Sequence, residues 1–386
     1  MSIEANIKSS FEEEFNRKPQ VFIAPGRINL IGEHTDYNEG FVMPTAIDKH
    51  FVFAISRNDS DQFNFFAKDL NEHISFSFDE LKIGTNWQNY LMGVVDGFVR
   101  RGKKINGIDC LFGSNIPSGA GLSSSAALCS GIGFALNEVF SCGLSRLDLA
   151  LIAQEAEHKF AGTKCGIMDM YASLFSEEGE VMLLDCRTNK HEYLPAHFDN
   201  YELLLIDTKV KHSLASSAYN RRREACEEGV RLIGQSEKNI KALRDVNITM
   251  LNSYKHLMSD EVFKRCFYIV KEIERTQKAA SLLKINDFVG FGKLMYETHW
   301  GLSKEFEVSC EESDHLVIWA NEIKVTGARQ MGGGFGGCTI NLIEKGQTER
   351  VKDFIRQKYF GQFHQEPDFY SVKLTNGVHE LNSSNR

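Results

Sequence analysis

Alternating and continuous apolar runs dominate the first third of the chain and predict a sheet-rich region there. Residues 21–24 form an apolar run of the length of a short buried strand, and residues 40–57 hold enough apolar positions for two strands. Apolar and polar positions alternate over residues 63–66 and 73–78, and a further apolar run covers residues 108–112. We therefore predict a strand in each of these runs.

Helical spacing of apolar positions appears between and after these strands. A polar helix is predicted over residues 5–17 and another over residues 87–101. A run of small residues, 115–127, opens a third helix. The apolar stripe of that helix consists of Leu128, Ile132, Leu136 and Val139. A fourth helix begins near Ser145, with Asp148 three residues further on as its capping partner.

The second half of the chain is richer in helical patterns. Strands are predicted over residues 180–185 and 202–207, on either side of a polar segment, and over residues 338–343. The predicted helices cover residues 211–229, 236–248, 259–283 and 286–299. The change from sheet-rich to helix-rich sequence indicates a domain junction near residue 198, and thus domains at residues 1–198 and 199–386.

Composition and charge exclude some classes of protein. The chain has 386 residues, of which 42% are hydrophobic and 25% charged, which is enough for two domains with cores. A net charge of −8 argues against nucleic acid or an anionic membrane as the main partner, because both require a basic surface. Nine scattered cysteines without a C-x-x-C pair, and the lack of a long apolar run, indicate a cytoplasmic protein with reduced thiols.

Residues 25–37 place an unusual number of polar side chains directly after an apolar strand. These side chains are Arg27, Asn29, Glu33, His34, Asp36 and Tyr37. Glu33 and Asp36 can accept hydrogen bonds from sugar hydroxyls, and Arg27 can pair with phosphate. The alternative is a solvated loop opened by a Pro-Gly turn.

A second informative stretch covers residues 115–127, which are mostly glycine, serine and alanine. Small residues let a backbone approach a ligand closely, and free amides at a helix N-terminus bind phosphate. The stretch lacks the lysine of a Walker A motif, so it predicts a phosphate loop of another kind. The alternative is a flexible linker.

Two acids occupy apolar surroundings further along. Glu157 lies four residues after Ala153 on an apolar helix stripe, where Mg²⁺, a buried hydrogen bond or a basic partner would each satisfy it. Asp169 follows Gly166 in an apolar segment and requires a cation unless it caps a helix. Arg27 is the candidate cation.

A glycine-rich stretch near the end contains a formal G-x-G-x-x-G at Gly332, Gly334 and Gly337. A dinucleotide fingerprint opens a helix, whereas this one precedes the predicted strand at 338–343. A nicotinamide enzyme is therefore the weakest alternative. What remains is a glycine-rich turn that packs against another loop, with or without a ligand.

These stretches together resemble a known family. Residues 27–37, 117–127 and 327–337 are similar to the three signature motifs of the GHMP small-molecule kinases, and residues 26–37 are similar to the galactokinase signature. Residues 165–169, and residues 212–219 with the arginines that follow, also resemble galactokinases. The resemblance implies a two-domain α+β fold with the active site between an N-terminal mixed-sheet domain and a C-terminal α+β domain. It also implies transfer of the γ-phosphoryl group of ATP to the anomeric hydroxyl of galactose.

The resemblance implies a role for each matching residue. The implied catalytic residues are Asp169 and Arg27, and the implied sugar-binding residues are Glu33, His34, Thr35, Asp36 and Tyr219. The implied ATP loop consists of Gly119, Ala120, Gly121, Leu122, Ser123, Ser124 and Ser125. Ser125 and Glu157 are the implied ligands of Mg²⁺. A monomer acting on galactose and ATP is expected, and Met170 departs from the glutamine usual in galactokinases.

The sequence leaves alternatives for the role of Asp169, for the acceptor sugar and for catalysis itself. A neighbouring arginine favours the ionised form of a carboxylate, so we hypothesise that Asp169 mainly orients the sugar hydroxyl and accepts its proton late. An N-acetylgalactosamine kinase would share most of these motifs. A non-catalytic galactose and ATP sensor is the binding-protein alternative, although residues 123–127 retain the whole serine run.

Overall fold

The computed structural model describes residues 2–84, 87–196, 198–210 and 215–381. Its first half contains five α-helices and eight strands. The helices are α1 (Ile3–Phe15), α2 (Gln88–Arg100), α3 (Ser124–Phe140), α4 (Arg146–Ala156) and α5 (Met168–Phe175). The strands are β1 (Gln20–Asn29), β2 (Phe41–Val42), β3 (Pro44–Arg57), β4 (Phe63–Ala67), β5 (Glu72–Phe76), β6 (Ile108–Ser114), β7 (Glu180–Asp185) and β8 (Lys190–Pro195).

The second half contains the remaining elements of the described chain. Its helices are α6 (Ala215–Gly234), α7 (Ile248–Ser253), α8 (Asp260–Lys284), α9 (Phe288–Lys304), α10 (Glu311–Glu322) and α11 (Thr348–Phe363). Its strands are β9 (Tyr201–Asp207), β10 (Gly327–Gln330), β11 (Cys338–Glu344), β12 (Asp368–Val372) and β13 (His379–Glu380).

Strand pairing divides the sheet structure into three parts. A six-stranded mixed sheet has the order β13-β1-β3-β6-β4-β5, in which β4 and β6 are parallel. A four-stranded antiparallel sheet has the order β10-β11-β9-β12, and a small sheet joins β2, β7 and β8. Helices α2 to α5 cover one face of the six-stranded sheet around a large apolar core, and α1 covers the other face.

The two halves are joined by more than the chain crossover. The last strand, β13, pairs with β1 in the first sheet, where Phe22 lies opposite Glu380. One apolar cluster contains Leu30 and Met43 of the first half together with Phe291 and Ile340 of the second. Strand pairing and a shared apolar cluster therefore both join the two halves of the chain. The junction near residue 198 stays a prediction.

Most predicted strands and helices are present, but one predicted helix is wrong. Residues 236–248 contain only a short 3₁₀ turn, Leu243–Asp245, before α7 begins at Ile248. The Asp245 carboxylate accepts hydrogen bonds from the backbone amides of Lys241 and Ala242, and Asn247 caps α7. Such local side-chain contacts compete with helix formation.

Several elements were not anticipated from the sequence. They are α5, β8, α7, α10, β10, α11, β12 and β13. In addition, β1 continues to Asn29, so the first residues of the polar stretch lie in a strand and not in a loop. None of the described helices is long and apolar enough to cross a membrane.

Candidate active site

Strand β1 brings the polar stretch, residues 25–37, against residues 119–125, the predicted phosphate loop. Its register against β3 shifts between Pro25 and Arg27. At this point the backbone amide of Arg27 donates to the Leu122 carbonyl at 3.1 Å. A Cβ atom on Gly26 would lie 2.8 Å from the same carbonyl oxygen, so only glycine fits there. Two segments far apart in sequence thus meet backbone to backbone.

Arg27 and Asp169 form the pair expected from the sequence. Nε of Arg27 donates to Oδ1 of Asp169 at 2.7 Å, and Nη1 donates to the Gly121 carbonyl at 2.7 Å. The Ser123 hydroxyl donates to Oδ2 of Asp169 at 2.6 Å. The side chain of Arg27 is 4% exposed, whereas that of Asp169 is 26% exposed. The arginine is therefore fixed in the interior while the carboxylate remains accessible from the cleft.

Glu33 is held by an arginine that the sequence did not single out. Oε1 of Glu33 accepts from Nη1 and Nη2 of Arg329, each at 3.1 Å, and from the Gly332 amide at 2.9 Å. Arg329 is fully buried and also donates to the Leu30 carbonyl at 2.8 Å. Its position two residues after Gly327, in the third motif, was the signal that could have identified it. This ion pair holds the first motif, residues 27–37, against the third motif, residues 327–337.

Aromatic rings surround His34. Its ring centroid lies 5.2 Å from that of Tyr219 and 4.8 Å from that of Phe306, and Nδ1 lies 2.9 Å from the Tyr37 hydroxyl oxygen. Burial lowers the pKa of His34 to about 3, and the charge of Arg222 acts in the same direction. His34 is thus a neutral side chain at physiological pH.

Asp36 faces the same cleft and is partly exposed. Burial raises its pKa to about 7, and the negative charge of Asp169 adds to this effect. A Cβ atom on Gly166 would lie 1.9 Å from Oδ2 of Asp36, so the glycine lets the loop before α5 lie directly on the carboxylate. Thr35 is different, since its buried hydroxyl donates to the carbonyls of Gly32 and Phe41 and does not line the cleft.

These groups line a small, partly open cleft. It is lined by Arg27, Glu33, His34, Asp36, Cys165, Met168, Asp169, Tyr219, Gly332 and Gly333. Carboxylates, a neutral histidine and tyrosine rings suit a polar ligand that carries hydroxyl groups.

The phosphate loop adopts left-handed backbone conformations immediately before α3. Gly119, Gly121 and Ser123 have φ values of 79°, 74° and 55°. The third motif packs on this loop, because a Cβ atom on Gly332 would lie 3.2 Å from the Gly121 carbonyl oxygen. This confirms the predicted glycine-rich turn against another loop. Ser123 does not cap α3 with its side chain, and its hydroxyl donates to Asp169 instead.

Glu157 begins a short π-helical turn, Glu157–Ala161, at the end of α4. It is buried, and its carboxylate interacts with the Ser125 hydroxyl. Burial raises the pKa of Glu157 to about 7, and nearby Asp169 adds to the rise. No group of three or more His, Cys, Asp or Glu side chains suited to a metal occurs in the described part of the chain. A buried carboxylate beside a hydroxyl nevertheless fits a Mg²⁺ ion that takes its remaining ligands from water and phosphate.

A second, more apolar hollow adjoins the phosphate loop. It is lined by the side chains of Phe51, Ala67, Asp69, Leu70, Trp87, Tyr90, Phe112, Ile116 and Leu128, with Ser114, Ser118, Ser124 and Ser125 at its polar side. Aromatic and aliphatic walls beside serine hydroxyls suit a planar ring attached to phosphates.

Two features noted in the sequence, Met170 and part of residues 212–219, are not among the residues described at the cleft. Met170 is fully buried in the apolar core beneath the first sheet and does not line the cleft. Of the segment 212–219, residues 212–214 lie outside the described residues, whereas Tyr219 is described and lines the cleft.

Comparisons with known proteins match the whole chain. The family models for the galactokinase galactose-binding signature, the N-terminal domain of GHMP kinases and the C-terminal domain of GHMP kinases match residues 9–57, 89–177 and 279–361. A galactokinase of Thermosipho africanus is 39% identical over 93% of this chain and 99% of its own. A galactokinase of Fusobacterium nucleatum is 38% identical over 97% and 98%.

Solved structures agree with these matches. A Lactococcus lactis galactokinase complexed with galactose superposes with a TM-score of 0.94 at 30% identity, over 98% of this chain and 100% of that one. A mevalonate kinase superposes with a TM-score of 0.61 at 20% identity, over 92% and 99%, which shows the fold alone. The two-domain fold expected from the resemblance is confirmed.

Proposed function

The chain belongs to the galactokinase family of the GHMP kinases and is a sugar kinase, and from this premise we propose how its cleft works. The proposed reaction is transfer of the γ-phosphoryl group of ATP to the anomeric hydroxyl of galactose, giving α-galactose 1-phosphate and ADP. One observation carries the proposal: Asp169 is paired with buried Arg27, bonded to Ser123 of the phosphate loop, and accessible from a cleft lined by Glu33, His34 and Tyr219.

The sugar occupies the cleft in this proposal. Asp36 and Glu33 accept hydrogen bonds from its hydroxyls, and the Tyr219 ring covers its apolar face. His34, neutral because of its burial, offers a hydrogen-bond donor or acceptor without adding charge. Thr35 contributes indirectly, since its buried hydroxyl holds the backbone turn that carries His34 and Asp36.

ATP lies across the phosphate loop in this proposal. Its base enters the hollow between Trp87, Tyr90 and Phe112, and its phosphates meet the amides of residues 119–125. Ser125 and Glu157 would hold a Mg²⁺ ion, which neutralises charge on the phosphate oxygens when bound. A carboxylate that is buried beside a hydroxyl, with a pKa raised to about 7, supports this assignment.

The chemistry requires little covalent participation by the protein. Asp169 accepts a hydrogen bond from the anomeric hydroxyl and so directs the hydroxyl oxygen at the γ-phosphorus. It takes the proton of this hydroxyl as the new oxygen–phosphorus bond forms. Arg27 holds Asp169 in place and faces the negative charge that develops on the transferred group. Every residue assigned here comes from one chain, so a monomer suffices.

ADP release from ATP in the presence of Mg²⁺ tests the proposal. Galactose, N-acetylgalactosamine, glucose and a sample without sugar should be compared in parallel. We expect turnover with galactose to exceed that with the other sugars by far. Preference for N-acetylgalactosamine would keep the mechanism but change the acceptor, and the absence of turnover with every sugar would favour a sensor of galactose and ATP.

A further inference from the structure

Helix α6 places Tyr219 in the cleft. Asn220 and Arg223 of the same helix contact a loop of the first half of the chain. Oδ1 of Asn220 accepts from the Lys164 amide at 3.3 Å, and Nδ2 of Asn220 donates to the Gly162 carbonyl at 3.3 Å. Nη1 of Arg223 donates to the Lys164 carbonyl at 2.8 Å. One side-chain amide and one guanidinium thus satisfy both a donor and two acceptors of the loop backbone.

The contacted loop, residues 162–166, forms one wall of the cleft. Cys165 lines the cleft, and Gly166 lies against the Asp36 carboxylate. The other side of the loop is tied to the first half, because the Cys165 carbonyl accepts from the side chains of Gln154 and His158. The loop and α6 thus carry two sides of the same cleft, with Cys165 on one and Tyr219 on the other.

The opposite side of α6 is attached to the second half. Nε of Arg222 donates to the Phe306 carbonyl at 2.7 Å, and Nη2 donates to the Glu307 carbonyl at 2.8 Å. The Arg222 side chain is only 12% exposed, whereas that of Arg223 is 24% exposed. Both Asn220 contacts are also longer than those of Arg222. When the cleft opens, the contacts with residues 162–164 are therefore the ones expected to break first.

We propose that Asn220 and Arg223 form a clasp that closes the sugar cleft without contacting the sugar. They are positioning residues: they hold Tyr219 over the sugar and against the wall formed by residues 162–166, and they slow the departure of the sugar. This inference rests on the proposed function, because it assigns a role at the proposed sugar site. Phosphoryl transfer itself does not involve the clasp, since Asp169 and Arg27 are held by other partners.

The substitutions Asn220→Ala and Arg223→Met test the clasp. Methionine keeps an apolar stem where the Arg223 guanidinium now lies 5.7 Å from the Tyr37 ring centroid. Arg231→Met is the matched control, because Arg231 lies on the same helix and pairs with Glu228 at the surface. Asn220→Asp keeps the acceptor for the Lys164 amide but removes the donor to the Gly162 carbonyl, so an intermediate effect is expected.

The measurements are kcat, the KM values for galactose and ATP, and the galactose dissociation constant from calorimetry. Each clasp variant should raise the galactose KM and dissociation constant about tenfold, the effect of losing one or two net hydrogen bonds. The KM for ATP should stay unchanged, and kcat should stay unchanged or rise. The Arg231→Met variant should match the unmodified protein in all of these quantities.

Two results would overturn the clasp. One is an unchanged galactose affinity in both clasp variants of an active enzyme. The other is a loss of kcat and ATP affinity together with galactose affinity, which would indicate general damage to the fold. Failure of the proposed function looks different, because the unmodified protein would then release no ADP with galactose.

Discussion

Arg27 and Asp169 are separated by 142 residues in sequence, and Nε of the arginine lies 2.7 Å from Oδ1 of the aspartate. Burial disfavours the charge on Arg27, but the carboxylates of Asp169 and Glu33 outweigh it and raise the pKa of Arg27. The arginine is therefore a permanent cation at the base of the cleft. It fixes the orientation of a carboxylate that lines the cleft and accepts a hydrogen bond from Ser123.

Asp169→Asn should lower kcat while leaving galactose affinity nearly unchanged. The amide keeps an oxygen that can accept from the sugar, but it cannot take the proton and carries no charge for Arg27 to hold. We expect kcat to fall by about 10²–10⁴-fold and the dissociation constant for galactose to change by less than about threefold. Turnover assays and calorimetry on the same preparation measure the two quantities.

Ser123→Ala provides a graded comparison for that experiment. It removes the hydroxyl that donates to Oδ2 of Asp169 at 2.6 Å but leaves the carboxylate in place. A smaller loss of kcat, about tenfold, is expected from a less well oriented carboxylate. Equal losses of rate and galactose affinity in Asp169→Asn would contradict the role assigned to Asp169.

Arg329→Met should destabilise the protein strongly, because it leaves the Glu33 carboxylate buried without its cation. Removing one partner of a buried ion pair costs about 3–5 kcal/mol. Urea unfolding at neutral pH measures the change in free energy of unfolding. If this variant does not fold, Arg329→Lys provides a milder test. The double variant with Glu33→Gln should be less destabilised than the sum of the two single changes, and strict additivity would contradict direct pairing.

Glu157→Gln should weaken the binding of the Mg²⁺ that activity requires. An amide is a poorer ligand than a carboxylate for a hard cation, so the Mg²⁺ concentration for half-maximal activity should rise by about 10- to 100-fold. Glu155→Gln is the matched control, because Glu155 lies two residues away and pairs with Arg100 and Arg101 at the surface. A similar Mg²⁺ requirement in both variants would show that Glu157 does not hold the ion.

Asp36→Asn should stabilise the ligand-free protein at pH 8 more than at pH 5. Burial raises the pKa of Asp36 to about 7 in the folded protein, whereas an unfolded chain has an aspartate pKa of about 3.9. Between these two values the folded state holds a proton that the unfolded state has lost, so stability falls as pH rises through this window. Thermal unfolding at the two pH values measures the difference, and an equal effect at both would refute the expected titration.

The sequence allowed the prediction of the pair at the centre of the site. An acid in an apolar segment requires a cation, and Arg27 was the cation placed next to a buried strand. Helix α3 could also be predicted, because a run of glycines and serines precedes an apolar helix stripe. Phosphate binding by this run stays a prediction. A glycine-rich turn packed against another loop was also predicted, but only the structure shows that Gly332 packs against Gly121.

Other features could not be predicted, for physical reasons. Arg329 is an arginine in a short strand, and only the tertiary fold places its guanidinium beside Glu33. Asn220 acts through the backbone of a distant loop, which leaves no pattern in the sequence. The predicted helix over residues 236–248 failed because Asp245 bonds to local backbone amides instead of allowing a helix.

The position and configuration of the new phosphate ester show whether the cleft phosphorylates the anomeric hydroxyl of galactose. Phosphorus and proton NMR of the product formed from galactose, ATP and Mg²⁺ identify the carbon that bears the phosphate. We expect a single ester at the anomeric carbon in the α configuration, formed together with one equivalent of ADP. An ester at another hydroxyl, or ADP formed without any phosphorylated sugar, would contradict the assignment of the cleft to an anomeric sugar kinase.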